Sequence, residues 1–185
     1  MTAVEPQHSL RELLAANVGA ERALDGLAEA IPLSDASVEA VTVADAFHWF
    51  DPVAALAEIR RVLRPAGGLA VLATVPDWSG ASWAHELGTL LAQARPEHPH
   101  FDGPSWREAV LAGGGWTAPR EIRVSASQPA QSEQFVDYIA SMSWIAAMPE
   151  RQRAETLARV RAIVAAGETP DEPSVQVVVG LASLA

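Results

Sequence analysis

Two apolar runs of strand length, Val38 to Ala44 and Leu69 to Val75, bracket one amphipathic stretch, and this pattern predicts a strand, a helix and a strand. In the first run Val41 and Val43 are suited to a buried parallel strand, which ends near Ala44 or Asp45. Asp51 followed by Pro52 is a helix start, because an N-cap acceptor precedes a residue with no backbone donor to leave unmet. Leu56, Ile59 and Leu63 then recur at helical spacing, with Glu58, Arg60, Arg61 and Arg64 on the wet side, until Pro65, Ala66, Gly67 and Gly68 break the helix. Such a unit has a parallel strand pair and a right-handed crossover, and ligands of these folds sit beyond the carboxyl ends of the strands. Asp45, Phe47, His48 and Trp49 therefore fall at the functional rim.

The same reading extends along the chain. Ser9, Leu10, Arg11 and Glu12 form a capping box, with Leu10, Leu13 and Leu14 as the packing face of the helix it opens. Arg22 to Asp25 is a short strand. Pro76 to Pro119 is rich in aromatics and turns and predicts two helices: Ser82 caps a stripe of Trp83, Leu87, Leu90 and Leu91, and Ser105 with Glu108 makes a second capping box before a triple glycine. Ile122 and Val124 alternate with Glu121, Arg123 and Ser125 as in a strand with one exposed face. Phe135, Ile139, Met142 and Ala146 share one helix face, and Leu157, Val160 and Val164 share another, with Pro149 and Gly167 near the ends of the second helix. Val175 to Leu184 is the last apolar strand.

Composition narrows the function class. A length of 185 residues is enough for one domain with a real core, and 49% hydrophobic against 19% charged residues is not a disordered composition. A net charge of -10, with no massed arginines, argues against nucleic acid as a partner. No apolar segment approaches membrane-spanning length and the first residues lack the pattern of a signal peptide, so a soluble, cytoplasmic protein without a membrane partner is expected. Zero cysteines exclude disulfides and thiolate metal sites, and His85, His98 and His100 lack the carboxylates of a metal site.

The run from Ala30 to Leu72, AIPLSDASVEAVTVADAFHWFDPVAALAEIRRVLRPAGGLAVL, resembles class I S-adenosylmethionine-dependent methyltransferases of the small-molecule type often called type 11. An acidic and apolar segment, a strand, a His-Trp-Phe-Asp rim, an amphipathic helix and LRPAGGLAVL stand in that family's order. The resemblance implies an α/β, Rossmann-like fold over residues 1–185, with a mostly parallel sheet, an antiparallel C-terminal strand and a helical substrate cover at about 76–119. It implies that Thr2 to Pro6 is the family's second strand and that its acid, Glu5, accepts the ribose hydroxyls of S-adenosylmethionine. Leu27, Ala28 and Glu29 would flank the adenine, and Ala44 and Asp45 would complete the cofactor-binding set. The family's first strand and Gly-rich turn find no counterpart, because Gly67 and Gly68 end one helix and Gly113, Gly114 and Gly115 follow another. The chain is thus expected to begin about one β–α unit late, which opens the sheet in the middle.

Each residue also has a plainer role. Glu5 is either the ribose acceptor, the preferred reading, or a solvated strand end. His48 is the catalytic candidate, either shaping the cofactor pocket, which is preferred, or acting as a general base. Asp45 either bonds the cofactor amino group or caps the following turn. Phe47 and Trp49 are expected to fill core, as are most of Trp78, Trp83, Trp106, Trp116 and Trp144, with one or two facing the cleft. The implied function is methyl transfer to a small-molecule acceptor. Two alternatives stand beside it: a non-catalytic remnant acting as an interaction protein, with a homodimer as one form, and a nicotinamide-dependent oxidoreductase. The last is disfavoured by the rim sequence and by the absence of lysine beside the one tyrosine, Tyr138.

Overall fold

The computed structural model describes residues 1–76, 82–95, 103–127, 132–166 and 174–185. They divide into two compact units, the first made of Met1–Ala73, Pro99–Ile122 and Val179–Ala185, the second of Thr74–His98 and Arg123–Val178. Trp78, His98, His100 and Gly167 lie outside the described residues.

In the first unit the predicted strand, helix and strand form. β3 (Val38–Ala44) leads through a short 3-10 turn (Phe47–Trp49) into α2 (Pro52–Val62) and then β4 (Leu63–Pro76). Asp51 is the N-cap of α2, its carboxylate accepting from Val53 N–H and Ala54 N–H. Ala55, Leu56, Ile59 and Val62 are buried, and they pack with Val43, Phe47, Leu63, Leu69, Val71 and Val110 into one apolar core. The break after α2 differs from expectation. Pro65 to Gly68 do not stand as a turn between helix and strand but belong to β4, where a bulge absorbs them: Val38 pairs with Leu63 and Ala40 with Gly68. Gly67 is required there, since a Cβ would lie 2.8 Å from Arg64 O.

β3 and β4 run parallel, with Val41 opposite Leu69 and Val43 opposite Val71. The strand order is β3-β4-β6-β5, where β5 is Arg120–Ser127 and β6 is Ser174–Ser183. Gly67 O accepts Leu184 N–H at 3.0 Å while Ala182 O lies over Gly68, so β6 runs against β4. Contacts of Thr117 with Ser183 and of Ser125 with Gln176 run it against β5 as well. The C-terminal strand is therefore antiparallel to its neighbours, as the resemblance implies. Gly180 admits Trp106 to this strand, for a Cβ would fall 2.1 Å from the indole.

The first strands form a sheet of their own. β1 (Ala3–Val4) pairs in parallel with β2 (Ala23–Leu24), and Glu5 N–H extends the ladder to Leu24 O at 3.1 Å. Among the described residues this two-stranded sheet is separate from the four-stranded one. Two expectations fail here. α1 (His8–Val18) has Gln7 at its N-cap with no side-chain cap bond, so Ser9 and Glu12 make no capping box. Instead the Glu5 carboxylate accepts Gln7 N–H at 2.8 Å. The intended packing face is also wet, with Leu10 48% and Leu13 65% exposed, because two strands of two residues offer little sheet to cover.

β3 is likewise not a strand buried on both faces. Val43 is buried and Val41 half-buried, but Ala40, Thr42 and Ala44 are exposed. Asp45 N–H donates to Leu72 O at 2.9 Å, so by the alternation of a strand Val41 and Val43 aim their backbone groups at β4. Ala40, Thr42 and Ala44 aim theirs at the opposite edge, where no strand pairs among the described residues.

The second unit is chiefly helical. α3 (Ser82–Ala94) buries Leu87, Leu90 and Leu91 of the stripe read from the sequence, together with Ala84, while Trp83 is half-buried. The helix read from Phe135 to Ala146 is two pieces, α5 (Ser132–Ser141) and α6 (Ser143–Ala146), and they pack with α7 (Glu150–Ala166) around Ile139, Ile145 and Val160. In the first unit, the helix α4 (Trp106–Gly113) carries the predicted Ser105 and Glu108 capping box in full. The Ser105 hydroxyl and backbone N–H hold the Glu108 carboxyl below its usual pKa.

The edge position of β3 is testable with proline. Thr42→Pro is expected to lower stability by less than about 1 kcal/mol, since it removes an outward N–H, whereas Val43→Pro deletes a ladder bond and should lose about 3 kcal/mol or more. Urea unfolding midpoints decide it, and equal losses would place a hydrogen-bonded partner on both edges.

Candidate functional site

The carboxyl end of β3 carries the rim. Ala44 is its last residue and is exposed. Asp45 follows with φ 47°, a left-handed conformation that a short carboxylate side chain tolerates better than a branched one. The chain then enters the 3-10 turn, in which Phe47 is 8% exposed and stacks at a tilt on Phe50, 5.7 Å between centroids. This anchors the turn in the core, so that His48 and Trp49 face solvent. Their rings lie 5.2 Å apart, and Trp49 is 47% exposed. Of the two aromatic residues expected to fill core, Phe47 does and Trp49 does not.

A second group of candidates stands at the carboxyl ends of β1 and β2. Glu5 is half-buried, and Arg11 secures its backbone: Arg11 Nη1 donates to Glu5 O at 2.8 Å, Pro6 O at 3.1 Å and the Asp25 carboxylate at 3.1 Å. One guanidinium thereby ties the ends of both strands. After β2, residues 27–30 make a turn closed by Ala30 N–H to Leu27 O at 3.1 Å. Leu27 is 52% exposed, an apolar surface at the place implied for an adenine ring, and Ala28 is half-buried. Glu29 points elsewhere, its Oε1 accepting Asp51 N–H at 2.7 Å.

The residues between this turn and β3 have no regular structure, and α2 supplies their partners. Arg61 Nη1 donates to Leu33 O at 2.8 Å and to the Asp35 carboxylate at 2.7 Å, and Nη2 donates to Ile31 O at 2.8 Å. Glu58 accepts Arg61 Nε at 2.9 Å and Ile31 N–H at 3.1 Å. Hydrogen bonding from Arg61 is the main cause that holds the Glu58 carboxyl below its usual pKa, and Glu58 in turn raises that of Arg61. Sequence reasoning left both on a solvated face. Arg60 has also left it, donating to the carbonyls of Gly113 and Gly114 and lying over the Trp116 ring. The available signal was the run of arginines beside one glutamate a helical turn away, which solvent exposure alone did not require.

Of the remaining aromatic candidates, Trp106 and Trp116 pack on the core of the first unit, and Trp83 and Trp144 on that of the second. Among the described residues no group of three or more His, Cys, Asp and Glu side chains is placed to hold a metal ion.

Two outcomes follow from this geometry. Asp45→Asn should keep the stability of the parent, while Asp45→Val should lose about 1–2 kcal/mol through the left-handed backbone, read from thermal unfolding. Because the folded pKa of Glu58 is depressed, its stabilisation is present above the unfolded carboxylate value of about 4.3 and is lost as pH falls through the folded value. The stability difference between parent and Glu58→Gln should therefore shrink as pH falls from about 5 toward 3, and a constant difference would contradict the pairing.

Known proteins share both the sequence and the fold. A family described as Methyltransferase domain matches residues 1–71. An uncharacterized methyltransferase of Mycobacterium tuberculosis is 34% identical over 165 residues, covering 89% of this chain and 64% of that protein. An uncharacterized methyltransferase-like protein of Schizosaccharomyces pombe is 33% identical over 128 residues, 69% of this chain and 49% of that one. The chain thus spans less than two thirds of the length of these relatives. Among solved structures, a candidate methyltransferase of an antibiotic biosynthesis pathway from Anabaena variabilis superposes with a TM-score of 0.63 at 16% identity, covering 100% of this chain and 81% of that one. A candidate type II methyltransferase from Anaeromyxobacter dehalogenans gives 0.60 at 24% identity, covering 98% and 78%. The chain is thus similar in sequence to methyltransferases over 89% of its length, and it shares the Rossmann-like mixed sheet of solved methyltransferases.

Proposed function

We propose that the chain serves S-adenosylmethionine-dependent methyl transfer to a small-molecule acceptor. The observation that carries this reading is the set of candidate residues at strand carboxyl ends: Glu5 after β1, Leu27 and Ala28 after β2, and Ala44, Asp45 and His48 after β3. Ligands of open α/β sheets gather at that end.

The residues fit the adenosine part of the cofactor. Glu5 spends Oε1 on Gln7 N–H, and a carboxylate offers about four acceptor sites, which leaves capacity for two ribose hydroxyls. Leu27 gives an exposed apolar surface for a ring. S-adenosylmethionine supplies an electrophilic sulfonium methyl when bound, so the protein's share is alignment and exclusion of water rather than a nucleophile. His48, exposed beside Trp49, shapes the pocket wall in this reading; as a general base it would instead take a proton from the acceptor. No described helix is long and apolar enough to cross a membrane.

A second reading is favoured by the divided sheet. Among the described residues no glycine-rich turn joins a strand to a helix N-terminus, and β1 and β2 stand apart from β3. In this alternative the chain is a non-catalytic interaction protein, with a second copy or another protein pairing along the open edge of β3.

Calorimetric titration with S-adenosylhomocysteine separates the two. The methyltransferase reading expects micromolar binding, weakened roughly tenfold to a hundredfold in Glu5→Ala, the value of hydrogen bonds to a charged acceptor. A pocket-shaping His48 expects His48→Ala to weaken binding by about threefold to tenfold, whereas a pure general base leaves it unchanged. A folded chain that binds no S-adenosylhomocysteine would favour the remnant.

A further inference from the structure

We propose that Glu29 is a positioning residue for the cofactor site, fixing the turn after β2 against the rim after β3; this rests on the function proposed above. The segment from Leu27 to Ser37 is laid along α2 from end to end. At the far end of the helix Glu58 and Arg61 hold Ile31, Leu33 and Asp35, and the carbonyls of Arg61 and Val62 accept Ala36 N–H and Ser37 N–H, both at 2.9 Å. At the near end the tie is Glu29 Oε1 to Asp51 N–H, at 2.7 Å.

Asp51 is the hinge between rim and helix. The residue before it, Phe50, closes the 3-10 turn through its N–H to Phe47 O, and the Asp51 carboxylate caps α2 at Val53 N–H and Ala54 N–H, 3.0 and 3.1 Å away. Glu29 is only two residues from the exposed Leu27, so its short bond to Asp51 sets the spacing between the turn and the His48–Trp49 pair. The half-buried Glu29 also places a negative charge at a helix N-terminus, where the helix dipole favours it. The bond needs an acceptor at the reach of a glutamate, and its charge is secondary. Positioning differs from direct recognition in the ligand-free protein, where only a tether protects Asp51 N–H from exchange.

The test titrates S-adenosylhomocysteine into the full chain and three variants, with amide hydrogen exchange at Asp51 followed in the ligand-free proteins. Glu29→Gln keeps an acceptor at the same reach and is expected to bind within about twofold of the parent. Glu29→Asp, charged but one methylene short, and Glu29→Ala are expected to weaken binding about five- to twentyfold and to exchange Asp51 N–H faster. Weaker binding in Glu29→Ala with Asp51 N–H exchange unchanged from the parent would assign Glu29 to the ligand and overturn the inference. Parent-like affinity in all three would overturn it alone and leave the proposed function standing. Failure of the parent to bind would overturn both, and should Glu29→Ala fail to fold, the contrast of Glu29→Asp with Glu29→Gln still decides.

Discussion

A stretch of backbone with no helix or strand of its own must find hydrogen bonds elsewhere, and here Arg61 provides them. The segment from Ile31 to Asp35 joins the two-stranded sheet to β3, and its carbonyls at Ile31 and Leu33 are met by one guanidinium braced by Glu58. Arginine suits this work because its planar fork presents several donors in fixed directions. If that segment drifted, both the turn at Leu27 and the entry into β3 would drift with it. The helix that bears Arg61 is itself held by burial of Leu56, Ile59 and Val62, so the site inherits its order from an apolar core.

The divided sheet gives the molecule two kinds of strand. β4 lies within a hydrogen-bonded sheet and has buried side chains at Leu69 and Val71, whereas β3, among the described residues, pairs on one edge only and exposes Ala40, Thr42 and Ala44. The pocket candidates all belong to the ends of the less supported strands, β1, β2 and β3. Site residues there depend on side-chain tethers, namely Arg11 to Asp25 and Glu29 to Asp51, where a continuous sheet would have set their spacing through backbone bonds.

Local signals in the sequence were faithful wherever the partner of a residue lay nearby. Asp51 with Pro52, and Ser105 with Glu108, act within one helical turn, and both caps form as read. The strand runs at Val38 and Leu69 and the stripe of Leu87, Leu90 and Leu91 hold because apolar periodicity reports burial directly. One failure is local, and the others have a partner distant in sequence. Ser9 and Glu12 had the spacing of a capping box, but Glu5 took the N–H of Gln7 and the helix began two residues earlier than a Ser9 cap would give, at His8. Leu10 and Leu13 had the spacing of a buried face, yet whether a face is buried depends on what the sheet offers. Arg61 looked like one more surface charge, since nothing in α2 reveals that Leu33 and Asp35 lie beside it. Of the site, the rim at Asp45 and His48 was legible; the tethers that place it were not.

The central claim is that the carboxyl ends of β1, β2 and β3 form one binding surface for an S-adenosyl ligand. Amide chemical-shift mapping of the 19.6 kDa chain on adding S-adenosylhomocysteine tests it most directly. The account predicts that the perturbed amides gather at Glu5, at Leu27 to Glu29 and at Asp45 to Trp49. Perturbations confined to other residues, or none at saturating ligand in a folded chain, would contradict it.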